Sequence, residues 1–451
     1  MTLSSKHKRF SFSALALLVI AMFSLNLYLL PDEQVLLYDT KRLFLCALVV
    51  LTCISLMFSG ELRRQIIHRY VSASIAVRIL IATFFVFALV AELFGLYPEK
   101  GIVLYFYFVG LLFLILCFSL EQPSRSSFKL ISLIIFCSFL SVFIGYSVAT
   151  FWGDGATIFT ILSYVNPRFL NQVQIWLVIP SLYMVLVSKD KASYLFPILN
   201  FAMMFALDAR GLAIASLGGI VLWLLIDKHN RYAIFKISLL SLILGLLVSV
   251  IFLSPLPSYL MHGQGSQTLL DLRDTTADRW TLWQYVIEQA KFFGLGGNGF
   301  VCTSIREIRP HNSVLYVLLN WGVIPAICYI SLGLILLKQV ISETHIRYRI
   351  IGLTLLSGLA HSLVSGVLDS PLSLLLACLF TGWFCGRKPL IKSTTKPTPR
   401  WAHIALITVA VLCIVSVSYK VSIRVQNNFY IDHVEEVLRP QFWLGNNCPN
   451  K

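Results

Sequence analysis

Residues 309–337 read RPHNSVLYVLLNWGVIPAICYISLGLILL, and the last 24 of them contain no Asp, Glu, Lys, Arg or His. At a helical rise of about 1.5 Å per residue such a run spans about 36 Å, enough to cross about 30 Å of hydrocarbon. The polar group Arg309-Pro310-His311-Asn312 therefore stands at the lip of a membrane span. Either it marks the water interface, or it is a site facing one compartment.

The same pattern extends over the chain, of whose 451 residues 57% are hydrophobic and 13% charged. Apolar runs fall near 10–30, 43–59, 79–97, 102–120, 130–150, 172–188, 194–208, 211–226, 237–254, 313–338, 350–368, 372–386 and 402–418. Lipid offers no partner for backbone N–H and C=O groups, and these runs far exceed the alternating strands of a barrel. The expectation is an all-α polytopic membrane protein of about 12–13 transmembrane helices. Two short pairs, meeting at Asp208-Ala209-Arg210 and at Asp369-Ser370-Pro371, are read as tight turns or re-entrant hairpins. The chain divides into transmembrane helices over 1–254, a long loop over 255–312, further transmembrane helices over 313–418, and a short tail over 419–451.

Basic residues orient the bundle. With the N-terminus inside and the first span retained, the inner loops hold roughly 22 Lys and Arg against about 14 outside. "PEK", "GDG" and "LDSP" are nearly neutral, whereas "GELRRQIIHRYVSASIAVR", "DKHNRYAIFK" and "RKPLIKSTTKPTPRW" are basic. The long loop then faces outward, to the periplasm of a bacterial inner membrane. The net charge of +15 fits membrane lipids as partners of the inner face. Nucleic acid is excluded by the lack of any basic-aromatic module or soluble domain.

Cys46, Cys53, Cys117, Cys137, Cys328, Cys378, Cys385 and Cys413 lie in or beside apolar runs and read as packing residues. Cys302 and Cys448 fall on the outer side, where an oxidising compartment permits pairing, although nothing in the sequence brings them together. No CxxC or HExxH spacing supports a metal site, and no cofactor is expected.

In the long loop, Asp278 is placed to cap an amphipathic helix from Arg279 to about Phe293. Trp280, Trp283, Val286, Ile287 and Ala290 would share its apolar side. "GLGGNGF", residues 294–300, superficially resembles a phosphate loop, but it lacks the Lys-Ser/Thr ending and any preceding strand. It reads as a tight turn whose glycines allow positive φ and close packing.

HNSVLYVLLNWGVIP resembles the motif of the lipopolysaccharide O-antigen ligase family: His, then Asn, Ser or Gln, then nine residues and Gly, here Gly322. DRWTLWQYVIEQAKFFGLGGNGF resembles that family's Arg-x3-Trp helix and Gly-x-Gly turn, and DARGLAIA its Ser-Arg-Gly-Ala segment. The likeness covers roughly 150–386; Pro325 and Asp208 depart from the motif. The superfamily includes Wzy-type polymerases and protein O-oligosaccharyltransferases. The resemblance implies a GT-C-like fold and transfer of a glycan from a polyprenyl (undecaprenyl) diphosphate donor to a hydroxyl acceptor, lipid A-core or another, on the periplasmic face.

The residue types suit that chemistry. A diphosphate leaving group needs cations more than a proton donor, and Arg210 and Arg279 supply guanidinium forks. The acceptor hydroxyl needs a base, for which His311 is the candidate, its imidazole having an ordinary pKa of about 6.5. Direct attack opposite the diphosphate would invert the anomeric carbon without a metal. Asn312, Arg306, Arg309 and Arg168 are further candidates for substrate contact, and His361, inside a span, for a hydrogen bond to a neighbouring helix. A transporter or flippase is the rival outside enzymology and would call for broken or charged helices near mid-membrane.

Overall fold

The computed structural model describes residues 11–26, 33–188, 190–263, 276–297, 299–303, 309–388, 398–429 and 441–445. Among them every regular element is helical. In chain order these are α1 (Phe12–Leu25), α2 (Gln34–Phe58), α3 (Gly60–Ser72), α4 (Ile75–Leu93), α5 (Pro98–Phe118) and α6 (Arg125–Trp152). There follow α7 (Pro167–Val187), α8 (Leu195–Ala206), α9 (Arg210–Ile226), α10 (Arg231–Val248), α11 (Leu256–His262) and α12 (Thr276–Gln289). The last are α13 (Gly299–Thr303), α14 (Ser313–Trp321), α15 (Val323–Ser342), α16 (Ile346–Ser362), α17 (Pro371–Cys385) and α18 (Arg400–Gln426). Among the described residues eight segments are long and apolar enough to cross a membrane: α2, α4, α5, α6, α7, Arg231–His262, α15 and α18. Helices α1, α9 and α17 are apolar but shorter. The molecule is a multi-pass helical membrane protein.

Side-chain contacts sort the helix termini into two ends. At one, Glu121 after α5 accepts from the first backbone N–H groups of α1. There too Arg347 of α16 reaches Pro123 O, Arg69 of α3 reaches Lys388 O beyond α17, and Arg349 pairs with Asp227 at the end of α9. At the other end Tyr38 of α2 meets Asp369 before α17, and Glu92 of α4 meets Gly297. His262, the last residue of α11, meets the Thr150 carbonyl of α6, and Arg424 of α18 meets Asp39 of α2. The chain thus passes up and down between an arginine-rich end and the end that carries Arg309–Asn312.

Helix α7 is the axis: 83% of its apolar window is buried, against 17% for α4, which leaves α4 to face lipid. Close approach comes from small residues. A Cβ on Gly358 of α16 would stand 2.3 Å from the buried Trp176 ring of α7, so only glycine fits there.

Four features differ from the sequence reading. First, α2 starts at Gln34 rather than near 43, because Asp39, Lys41 and Arg42, which look like loop residues, are buried with partners inside the bundle. Second, the basic stretch after α2 is itself a helix, α3, capped by the Ser59 side chain. Third, the opening span is broken at Gly322, whose φ is 88°; a Cβ there would lie 2.1 Å from Phe292 O, so the break admits the glycine turn of the long loop. Fourth, residues 441–444 of the tail are part of the core. Phe442, Trp443 and Leu444 are buried, and the backbone of Leu444 bonds to both Asp39 and Arg424.

Cys302 is disulfide-bonded. The eight cysteines read as packing residues are free, and all but Cys385 are buried. Cys448 lies outside the described residues.

Candidate active site at the bundle lip

Helix α12 carries Arg279 and is anchored by a stripe of residues four apart. Leu282 and Val286 pack with Leu295, Phe300, Val301 and Leu319. This corrects the expected face: Trp280 and Ile287 are 63% and 58% exposed and point away from the bundle. The reason is the partner. The side that seats on α14 is set by Leu319 and the glycine turn, not by the bulkiest side chains. Trp283, next to the stripe, donates from Nε1 to Pro310 O at 2.9 Å and so fixes the strand that leads into His311.

The glycine turn is a structural junction. Gly294 and Gly296 have φ of 79° and 77°, and a Cβ on Gly294 would sit 2.4 Å from Asn320 O. The N–H groups of Leu295 and Gly296 donate to Leu319 O and Asn320 O. The buried Glu92 carboxylate receives Gly297 N–H at 2.6 Å and Trp321 Nε1 at 2.7 Å. These glycines let the backbone approach the protein's own backbone, as the tight-turn reading expects.

Beyond Pro310 the chain turns sharply, with His311 at a φ of 50°. Left-handed backbone is uncommon outside glycine, and at a non-glycine residue it stores roughly 1–3 kcal/mol that the surroundings must offset. Here both flanks are fixed. Arg309 is buried and pairs with Asp369 through Nη1 and Oδ1 at 2.6 Å, its guanidinium lying 5.4 Å from the Tyr316 ring centre. On the other side Asn312 Oδ1 accepts from Val314 N and Leu315 N, so this oxygen caps α14 and is not free for substrate. Ser313, next in line, bonds Ser362 of α16 at 2.8 Å and accepts from Tyr329 OH at 3.1 Å.

The imidazole of His311 sits among charges. Burial pushes its pKa down to about 4; the Asp369 carboxylate opposes that shift, while Arg168, Arg279 and Arg309 add to it. At neutral pH the ring is uncharged and able to accept a proton. Arg279 lies beside Arg168, and burial followed by that neighbouring charge lowers its own pKa from the ordinary guanidinium value, leaving it a cation. Arg168 itself is the second residue of α7, placed by Pro167 and by the Asn166 side chain that caps the helix.

Arg210 is the first residue of α9, and Asp208, in left-handed backbone at φ 46°, grips it with both oxygens: Nε–Oδ1 is 3.1 Å and Nη2–Oδ2 is 3.2 Å. The turn lies against His361 of α16 and Val364 just beyond it. A Cβ on Gly211 would be 3.5 Å from the His361 ring, and the Arg279 charge also acts on His361.

The sequence candidates Arg168, Arg279, Arg309 and His311 thus gather at one lip, with Arg210 joined through His361. Arg306 lies outside the described residues. Among the described residues no three His, Cys, Asp or Glu side chains group as metal ligands. Asp369 was missed. It is the acid that opposes the arginines, its backbone carbonyl is held by Tyr38 and Arg42, and its only sequence signal is a lone carboxylate in a short turn between apolar runs. No protein-family model matches the chain, and a search of curated proteins gave no match.

Proposed function

We propose that this protein is a glycosyltransferase of the O-antigen ligase kind. It moves a glycan from a polyprenyl diphosphate to an acceptor hydroxyl, most simply on lipid A-core, at the periplasmic face of the bacterial inner membrane. The observation that carries the reading is the meeting of one uncharged imidazole, on a residue held in left-handed backbone, with Arg168, Arg279 and Arg309 and, among the described residues, with the one carboxylate of Asp369. Such a lip has surplus positive charge for a dianionic leaving group and a neutral base for the nucleophile.

The chemistry divides between the two kinds of side chain. The guanidiniums bind the diphosphate oxygens and take up charge as the glycosidic bond breaks. His311 removes the acceptor hydroxyl proton as the oxygen attacks the anomeric carbon from the opposite side, inverting it. An imidazole with a pKa near 4 is a weak base in the donor-free site. The negative charge of a bound diphosphate offsets the arginines and raises it toward neutrality, so basicity rises when the donor is in place. Sidedness is supported by the arginine-rich opposite end, where Arg63, Arg69, Arg347, Arg349 and Arg387 cluster as expected of a cytoplasmic face.

A transport function would use the break at Gly322 as an opening, yet Phe292–Leu295 fill it. The acceptor distinguishes a ligase from a Wzy-type polymerase or a protein O-oligosaccharyltransferase. The test is purified protein in detergent with polyprenyl diphosphate-linked glycan and each acceptor in turn, without nucleotide and with EDTA. Transfer to lipid A-core under these conditions is the expected result; no transfer to any acceptor would refute the reading, and restoration by magnesium would refute its metal-independent form.

A further inference from the structure

Lys41 of α2 is only 4% exposed and takes part in no ion pair among the described residues. Its ammonium donates to Ser163 O and stands 4.1 Å from the centre of the Tyr164 ring. Buried Arg309 and Arg424 each face a carboxylate, and Lys41 does not. A buried charge is costly unless something nearby supplies the opposite sign.

An independent feature, on a different helix, meets that ammonium. Helix α17, 15 residues long, begins at Ser370-Pro371, and its N-cap side chain makes no capping bond. Ser370 Oγ is buried and has no hydrogen-bond partner. Pro371 has no N–H, and the N–H groups of Leu372 and Ser373, both buried residues, have no acceptor among the described residues. Lys41, Ser370, Pro371 and Leu372, with Tyr38 and Tyr164, line one cavity of about 10 Å³. That is room for a single occupant about the size of a water molecule.

The chemistry of the lining selects among such occupants. An ammonium and backbone N–H groups can only donate, the Ser370 hydroxyl has a proton to give, and Tyr38 OH is already engaged by Asp369 O, Gln441 O and Arg42. Water would have to place two protons of its own among donors, whereas a monatomic anion accepts from all of them and neutralises Lys41.

We propose that this cavity is a site for one halide ion, chloride in the cell, held between the Lys41 ammonium and the first turn of α17. Ser370 turns its hydroxyl proton to the ion, and the free N–H groups of the turn donate to it. The size of the cavity excludes phosphate and carboxylate ligands, so the site is separate from the arginines that meet the donor and stands independently of the transferase reading. Its occupant has a consequence for the lip. Ser370 follows Asp369, whose carboxylate pairs with Arg309 and whose carbonyl accepts from Arg42, so an ion at Ser370 braces that turn from behind.

The test is thermal melting of the full-length protein in detergent, in sodium chloride, bromide or gluconate at fixed ionic strength, for the wild type, Lys41→Met and Ser370→Ala. Relative to gluconate, the wild type should gain on the order of 1–2 °C in Tm for each tenfold rise in chloride or bromide above its Kd. Lys41→Met, which replaces the charge with an apolar side chain, should show no halide response, and Ser370→Ala should need severalfold more chloride for the same gain. Crystals grown in bromide should give an anomalous peak beside Lys41 Nζ, which reads the site even if Lys41→Met fails to insert. Equal melting of the wild type in chloride and gluconate would overturn the proposal and leave the cavity to water. A halide response undiminished in either variant, or bromide crystals without that peak, would overturn it as well.

Discussion

Two arginine clusters lie at the same end of the bundle and are built in opposite ways. Under the tail, Arg424 and Asp39 are 2% and 0% exposed by side chain and pair at 2.7 Å. Leu444 supplies a backbone N–H to Asp39 and a carbonyl to Arg424, and Phe442 and Trp443 lie within cation–π range of Arg42, Lys420 and Arg424. At the lip, Arg309 pairs with Asp369 while Arg168 and Arg279 also act on His311, Arg309 Nε is buried without a partner, and the His311 backbone is strained. A closed cluster, its carboxylate bonded on both oxygens and its cations covered by aromatic rings, holds the fold together. On the proposed reading, an open one with stored strain and with more cations than acids among the described residues takes a ligand that brings negative charge.

That contrast predicts different costs of removing one charge. Asp39→Ala or Arg424→Ala leaves its partner ionised in the protein interior, which typically costs about 3–5 kcal/mol. The expected outcome is a large fall in melting temperature and in folded yield from detergent extracts. Arg279→Ala, half-buried and facing like charges, should leave stability nearly unchanged or raise it. Equal destabilisation by the two would erase the distinction between the clusters.

The pH dependence sharpens it next. A general base must be deprotonated, so activity is lost as pH falls through its pKa. For the free enzyme the acid limb of kcat/KM should lie near pH 4, where burial, aided by the surrounding arginines, holds His311. The limb of kcat, reporting the donor-bound state, should lie at higher pH because the diphosphate offsets those arginines. A kcat limb at or below that of kcat/KM would mean that no negative charge arrives beside His311.

The smallest effect concerns the cap. Asn312→Ala removes the acceptor for Val314 N and Leu315 N and should cost about 1 kcal/mol of stability. Asn312→Asp, which keeps that acceptor, should restore most of it and add a negative charge beside His311. Comparison of the two in thermal melts separates the helix-capping role from any contact with substrate.

How much of this was legible varies with the range of the interaction. Helical class and the up-and-down order follow from local hydrophobicity, and the turn at GLGG from glycine itself. The start of α2 was not legible because Asp39 and Arg42 are tolerated there only through Arg424, Tyr107 and Asp369, far along the chain. The seated face of α12 was misread because the preference for Leu282 over Trp280 depends on what α14 presents. Arg168, Arg279, Arg309 and His311 were named from residue chemistry and motif, but Asp369 needed the fold, since its partner Arg309 lies in a different loop.

The central claim is that the lip separates a base for the acceptor from cations for the donor. Its most direct test measures donor affinity and transfer rate together for His311→Ala and Arg279→Ala, each shown to be inserted at wild-type level. His311→Ala should lower transfer by on the order of a hundredfold to ten-thousandfold while donor affinity is unchanged, and Arg279→Ala should lower both. Near-normal transfer by His311→Ala would contradict the account, leaving Arg309-Pro310-His311-Asn312 as an anchor at the membrane interface.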